Sequence, residues 1–206
     1  MSFFGTLKGL ISDTVAEIAR LDASTHAMET IEYEHHEIHS GSSYTCHYTN
    51  TVTNIGEMTV IALNAPDTTK EIHLVVEFSS TAASYFAVYE ATSIDVDEGT
   101  QLTVYNRNRN SANAATITSI ETAPVANKAT SYDETQAAGA NISTTTELSR
   151  TYIGAGERKS VGGGGRGVSE WILDRAGQYA FMLVGTTADD CTHSLALDWY
   201  EHTPKD

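Results

Sequence analysis

Leu195-Ala196-Leu197-Asp198-Trp199-Tyr200-Glu201-His202 alternates residue by residue and decides how the rest of the chain is read. Leu195, Leu197, Trp199 and Glu201 fall on one side of an extended segment; Asp198, Tyr200 and His202 fall on the other. A period of two is a strand signature. Trp199 is the expected core anchor, because a side chain of that size repays burial more than any other. Asp198 and Glu201 lie on opposite faces, so they do not make the facing carboxylate pair that glycoside hydrolysis needs.

The same period extends over most of the chain. Strands are expected near 31–39, 44–53, 57–63, 71–78, 85–94, 101–106, 115–121, 168–174, 179–184 and 194–202. Turn residues punctuate them: Ser40-Gly41, Asn54-Ile55-Gly56, Asn64-Ala65-Pro66-Asp67, Asp97-Glu98-Gly99, Arg175-Ala176-Gly177 and Thr187-Ala188-Asp189-Asp190. Many short strands with almost no helix between them make an all-β fold. A jelly-roll-like β-sandwich suits this number of strands best, with an immunoglobulin-like sandwich as the runner-up.

Residues 1–29 have another rhythm. Phe3, Phe4, Leu7, Leu10, Ile11, Val15, Ile18 and Leu21 recur at steps of three and four, the period of one helix face. A short amphipathic helix is marginal alone in water and is expected to dock, on its own domain or on a partner. The organisation is therefore an N-terminal helical or extended arm (1–29) and a β-domain (30–206) carrying a flexible excursion at 122–167. That excursion contains the Ala/Ser/Thr-rich stretch 127–146 and the run Arg158-Lys159-Ser160-Val161-Gly162-Gly163-Gly164-Gly165-Arg166-Gly167.

Composition excludes several functions. The net charge is -15, from 12 Lys and Arg against 27 Asp and Glu, so phosphate backbones and anionic membranes are repelled. No stretch approaches the roughly 18 apolar residues of a membrane span. Met1-Ser2-Phe3-Phe4 lacks the basic region of a secretory signal, and a cytoplasmic origin is expected. Cys46 and Cys191 are too few for a disulfide framework. Buried free thiols are the preferred reading, and a disulfide is the alternative if their strands are neighbours.

Three groups could carry chemistry. His35-His36-Glu37-Ile38-His39 concentrates metal-ligating side chains. It is not H-E-x-x-H, and three ligands on one strand could reach a single ion only with distortion, since same-face Cα atoms lie roughly 6.5–7 Å apart. The β-like flanks favour a first strand, although His35 and His39 would pair well at i, i+4 on a helix. The glycine run lacks the order of a phosphate loop, since Lys159-Ser160 precede the glycines. It reads as a basic loop for an acidic partner, through Arg158, Lys159 and Arg166. Tyr105-Asn106-Arg107-Asn108-Arg109-Asn110 reads first as an Asn-rich turn with arginines held inside the domain, and second as an interface or glycan-contact loop. No G-x-S-x-G elbow is present.

Tyr33-Glu34-His35-His36-Glu37-Ile38-His39-Ser40-Gly41, the 105–110 loop, Trp171-Ile172-Leu173 and Asp198-Trp199-Tyr200-Glu201-His202 occur in this order and together resemble a group of small virion proteins of tailed bacteriophages. The resemblance spans about residues 30–204. It implies a capsid decoration or cement protein with a jelly-roll-type domain and no catalytic residues. From it follow the expected partners: the major capsid protein, further copies of the same chain (a homotrimer on symmetry grounds) and other virion proteins. The expected location is the capsid surface, with assembly in the host cytoplasm. No catalytic, cofactor or metal residue is assigned. Expected contact residues are Phe3, Phe4, Leu7, Leu10 and Ile11 on the arm, with Arg107, Arg109, Arg158, Lys159 and Arg166 on loops. Two competing readings are a tail- or spike-associated glycan binder and a metal-dependent hydrolase built on His35, His36 or His39.

Overall fold

A computed structural model of the chain describes residues 33–91, 100–117, 120–122, 146–154, 158–161 and 170–203. The described elements belong to one compact unit, Tyr33–Asp206. The expected arm at 1–29 lies outside the described residues.

The stretch expected to be the first strand is a helix, α1 (Tyr33–Ser40). Its end explains the misreading. Gly41 sits at φ +77°, donates to Ile38 O at 3.1 Å, and is followed by Ser42 N donating to Glu37 O at 2.9 Å. This is a Schellman closure, in which a left-handed glycine ends a helix. In the sequence the same Ser40-Gly41 looks like a strand-ending turn.

Among the described residues eleven strands follow: β1 (Ser43–Val52), β2 (Met58–Asn64), β3 (Glu71–Ser80), β4 (Ser84–Ala91), β5 (Tyr105–Asn106), β6 (Ile120–Thr122), β7 (Thr146–Ile153), β8 (Arg158–Val161), β9 (Trp171–Leu173), β10 (Gln178–Gly185) and β11 (Cys191–His202). They form two antiparallel sheets. One runs β5-β1-β11-β3-β8, with β9 also paired to β3; the other runs β6-β2-β10-β4-β7. The pairing is nested: β1 with β11, β2 with β10, β3 with β8 and β9, β4 with β7. A long two-stranded ribbon folded at its middle and rolled up gives this order, which is the jelly-roll topology. The strands β5 and β6 are additions at the outer edges. Two strands, β7 and β8, lie inside the 122–167 segment that the sequence reads as an excursion.

The alternation of the closing strand holds as expected. Leu195, Leu197 and Trp199 are fully buried between the sheets, and Glu201 faces inward with them. Facing them from the second sheet are Ile61, Leu63, Phe86, Phe181 and Leu183. Phe78 and Phe86 stack across the core with centroids 4.1 Å apart. Burying each such side chain contributes about 1.5–3 kcal/mol. The second sheet is apolar on its other face as well, through Val60, Ala62, Ala87, Met182 and Val184. That is why β10 reads as an unbroken apolar run, not as an alternating one.

The inward Glu201 is a buried carboxylate with a full set of donors. It accepts Thr116 N at 2.8 and 3.0 Å and Trp199 Nε1 at 3.2 Å, and Lys70 Nζ lies 3.7 Å away. It thereby pins the 105–117 segment to the sandwich; burial, reinforced by the Glu201 charge, pushes the Tyr44 hydroxyl up to about 12. Cys46 and Cys191 are both buried and free. Their strands are neighbours, but the register places Cys46 opposite Leu197 and Cys191 opposite Val52. Six residues of strand, about 20 Å, separate the two thiols.

Candidate functional site

Among the described residues, the outward face of the first sheet brings together Glu71, His73 and His202, whose ligand atoms lie within 4.8 Å of one another. Strand alternation puts Glu71 and His73 on one face of β3, and Tyr200 and His202 on the same face of β11. The register then sets Tyr200 directly opposite His73 and His202 opposite Glu71. Cross-strand neighbours of this kind stand about 4.5–5.5 Å apart at Cβ, within side-chain contact. His73 stacks on Tyr200 at 4.6 Å with rings nearly parallel, and its centroid is 4.6 Å from that of His202.

Glu170, just before β9, closes the group. Its Oε2 accepts from His73 Nδ1 at 3.0 Å and from the Tyr200 hydroxyl at 3.2 Å. In the neutral ring, a carboxylate on Nδ1 selects the tautomer with the proton on Nδ1 and the lone pair on Nε2. His73 Nε2 makes no hydrogen bond among the described residues; Glu71 Oε2 lies 3.9 Å away. The other oxygen of Glu71 faces Arg175 at 3.9 Å. Burial, with His73 alongside, holds the His202 imidazole below the ordinary histidine range, against the upward pull of Glu71, Glu37 and Glu170.

A second polar group is sealed inside the roll. His193 is fully buried, with Nδ1 3.1 Å from Thr59 Oγ1 and Nε2 3.0 Å from Ser84 Oγ. Ser84 also contacts Ser80 at 2.8 Å, and Ser80 lies 2.9 Å from Cys191 Sγ. A hydroxyl on an imidazole nitrogen resembles a nucleophile and its base. Ser84 is only 1% exposed, however, and no substrate can reach it. Burial lowers His193 to about 4, so it stays neutral and serves as a satisfied core histidine. A groove of about 250 Å³ between Tyr44 and the 101–117 segment is lined mainly by apolar and amide side chains, and its one described ionisable group is the Tyr44 hydroxyl.

The residues singled out by sequence are dispersed. His35 and His39 pair on α1, with Nε2 atoms 3.1 Å apart, and both are exposed. The Asn-rich loop is a cap for that helix: Asn108 Nδ2 donates to His39 O, Asn113 Nδ2 to Ser40 O, and Asn106 Nδ2 to Gly41 O. The carbonyls of His39 and Ser40 are among those a helix end leaves without intrahelical donors, and that of Gly41 follows directly after it. Arg109 donates to Asn106 O at 3.4 Å and lies over the Tyr105 ring, while the Arg107 amide donates to Ser43 O. Arg158 and Lys159 are on β8, opposite Ser79 and Phe78, and so belong to a strand and not to a loop. Phe3, Phe4, Leu7, Leu10, Ile11 and Arg166 lie outside the described residues.

The His73 group was missed at the sequence level. Glu71-Ile72-His73 and Tyr200-Glu201-His202 each show the outward spacing, but only the register joins them. Comparison with family models, with curated proteins and with solved structures gives no match.

Proposed function

We propose that this chain is a non-enzymatic structural protein of a tailed-phage particle, binding the outer capsid as a homo-oligomer, a trimer by preference, and stabilising the shell. The observation that carries the interface part of this reading is a pair of large exposed side chains on lateral strands. The lateral strands β7 and β9 present Tyr152 at 66% and Ile172 at 60% exposure. Large apolar side chains exposed on lateral strands are natural contact points, because the side of a sheet is where another chain is most readily added. Tyr152 and Ile172 suit a subunit that meets neighbours.

The virion assignment draws its support from the resemblance of the 33–41, 105–110, 171–173 and 198–202 segments, together with a fold that viral capsid domains use among other families. The hydroxyl–imidazole pair that could have suggested catalysis is closed to substrate, which adds weight to a structural role. Avidity across several copies would offset the entropy of ordering each one on a shell.

Particles lacking this protein should lose resistance to heat or low salt, and Tyr152→Lys with Ile172→Lys should abolish the homo-oligomer in light scattering. Unchanged particle stability, with no copies bound to purified particles, would refute the capsid reading. Copies imaged at tail tips, with binding on a glycan array, would transfer the chain to the receptor-binding reading instead.

A further inference from the structure

We infer that Glu71, His73 and His202 form a binding site for one divalent first-row transition-metal ion, of which Zn²⁺ is the representative, on the outward face of the first sheet. Each of the three offers one ligand atom, and these atoms lie within 4.8 Å of one another. Ligands of a tetrahedral ion with bonds of about 2.0–2.1 Å stand roughly 3.4 Å apart. The 3.9 Å between His73 Nε2 and Glu71 Oε2 therefore needs to close by about half an ångström, within the reach of a glutamate rotamer.

Four features of the surroundings fit an ion rather than a plain surface pair. His73 is 8% exposed, and its Nε2 is buried and makes no hydrogen bond among the described residues. A buried imidazole nitrogen with a lone pair and no donor costs free energy unless something fills the place. Glu170 on Nδ1 supplies the carboxylate–histidine arrangement that orients a ligating imidazole and raises its basicity. Tyr200 stacks on His73 and donates to the same Glu170 oxygen, so both orienting groups are themselves held. Arg175 engages Glu71 Oε1 and leaves Oε2 on the histidine side.

Two nitrogens and one carboxylate select Zn²⁺ and its first-row neighbours over Ca²⁺ and Mg²⁺, which take oxygen ligands. Three protein ligands leave at least one position for water or for an outside group. Side-chain exposures of 33% for Glu71 and 11% for His73 leave the site reachable from solvent along the Glu71 side. The ion would tie β3 to β11, and the inference holds whether or not the chain belongs to a virion.

The exposed His35–His39 pair could itself take up zinc, so the test uses the full-length chain carrying His35→Ala and His39→Ala, stripped with a chelator. Calorimetric titration with ZnCl₂ should give one ion per chain, and Co²⁺ should give visible bands of a four- or five-coordinate nitrogen–oxygen site. His73→Gln and His202→Gln, each added to that background, should weaken Zn²⁺ binding at least 100-fold. Glu170→Gln should weaken it about 10- to 100-fold without changing the stoichiometry. Zn²⁺ should also raise the thermal midpoint, an effect lost in His202→Gln. Should either histidine variant fail to fold, Glu71→Gln at the partly exposed ligand carries the same expectation. A folded background variant that binds no Zn²⁺, binding unchanged in the histidine variants, or equal competition by Ca²⁺ would each overturn the site.

Discussion

Lowering the pH should remove a defined amount of stability through one residue, His193. It is fully buried, and burial brings it from the ordinary 6.5 to about 4. In the unfolded chain it regains the ordinary value. Between these two values the unfolded state therefore binds more protons than the folded one, and protonation pulls the equilibrium toward unfolding. The contribution of neutral His193 is fully present above about pH 6.5, falls as the pH drops through the window, and is gone near pH 4. At about 1.4 kcal/mol per pH unit, the loss amounts to roughly 3 kcal/mol. Domains of ordinary size have about 5–15 kcal/mol in all, so this one group removes a visible share. The neighbours do not relieve the cost, because Thr59 and Ser84 are neutral hydroxyls that offer no counter-charge. Urea unfolding followed by tryptophan fluorescence at half-unit steps from pH 7.5 to 4 measures the effect. His193→Gln, close in volume and unable to titrate, is the reference. Every other titrating group is shared, so the difference between the two curves belongs to residue 193. The wild type should approach the variant by about 3 kcal/mol over the window. Parallel curves from pH 6.5 to 4 would refute the reasoning.

Other substitutions test the remaining structural arguments. Gly41→Ala should cost well over 1 kcal/mol in urea unfolding, because Gly41 has φ +77° and an added Cβ would collide with the Ser111 side chain. Ala176→Gly should gain about 0.5–1 kcal/mol by relieving a non-glycine residue at φ 56°, and a loss of stability would contradict that strain. Glu201→Leu should cost about 3 kcal/mol, since it strands the Thr116 amide and the Trp199 indole N–H inside the sandwich. The Cys46 thiol, buried and pushed up to about 12, should resist Ellman's reagent in the folded chain and react at once in urea.

The register of legible and illegible features follows from the range of the interactions involved. Alternation is a local property, and it placed β1, β2, β3, β4, β10 and β11 within a few residues of their true bounds. It also put Trp199 inside, because a period of two assigns faces without knowing the partner strand. The 31–39 stretch failed for a local reason too. Its aromatic and β-branched flanks outweighed two helix signals present in the sequence: histidines four apart and a glycine positioned to end the last turn. Strands β7 and β8 failed because Thr-, Ser- and Arg-rich edge strands carry few large apolar residues, and their signal comes from pairing with β4 and β3.

The His73 group lay beyond sequence reading for a different reason. Its members are Glu71, His73, Glu170, Tyr200 and His202, on three segments far apart in the chain. A jelly roll folds the chain like a ribbon, so its last strand pairs with both its first and its third. One slip of register between β3 and β11 would turn His202 and Tyr200 toward the core and bring Glu201 out. The apolar inner face forbids that slip, because Leu195, Leu197 and Trp199 would leave the core with it. The hydrophobic alternation that makes the sandwich therefore also fixes His202 opposite Glu71 and Tyr200 opposite His73. The polar site is held in register by the core behind it. Substitutions that loosen the packing of Trp199 should disturb zinc uptake on the opposite face while leaving Glu71, His73 and His202 untouched. Trp199→Phe is the test case: it keeps an aromatic ring but drops the indole bond to Glu201. It should lower thermal stability and weaken Zn²⁺ binding together, and full zinc affinity in a markedly destabilised Trp199→Phe chain would show that the outer face does not depend on the core for its geometry.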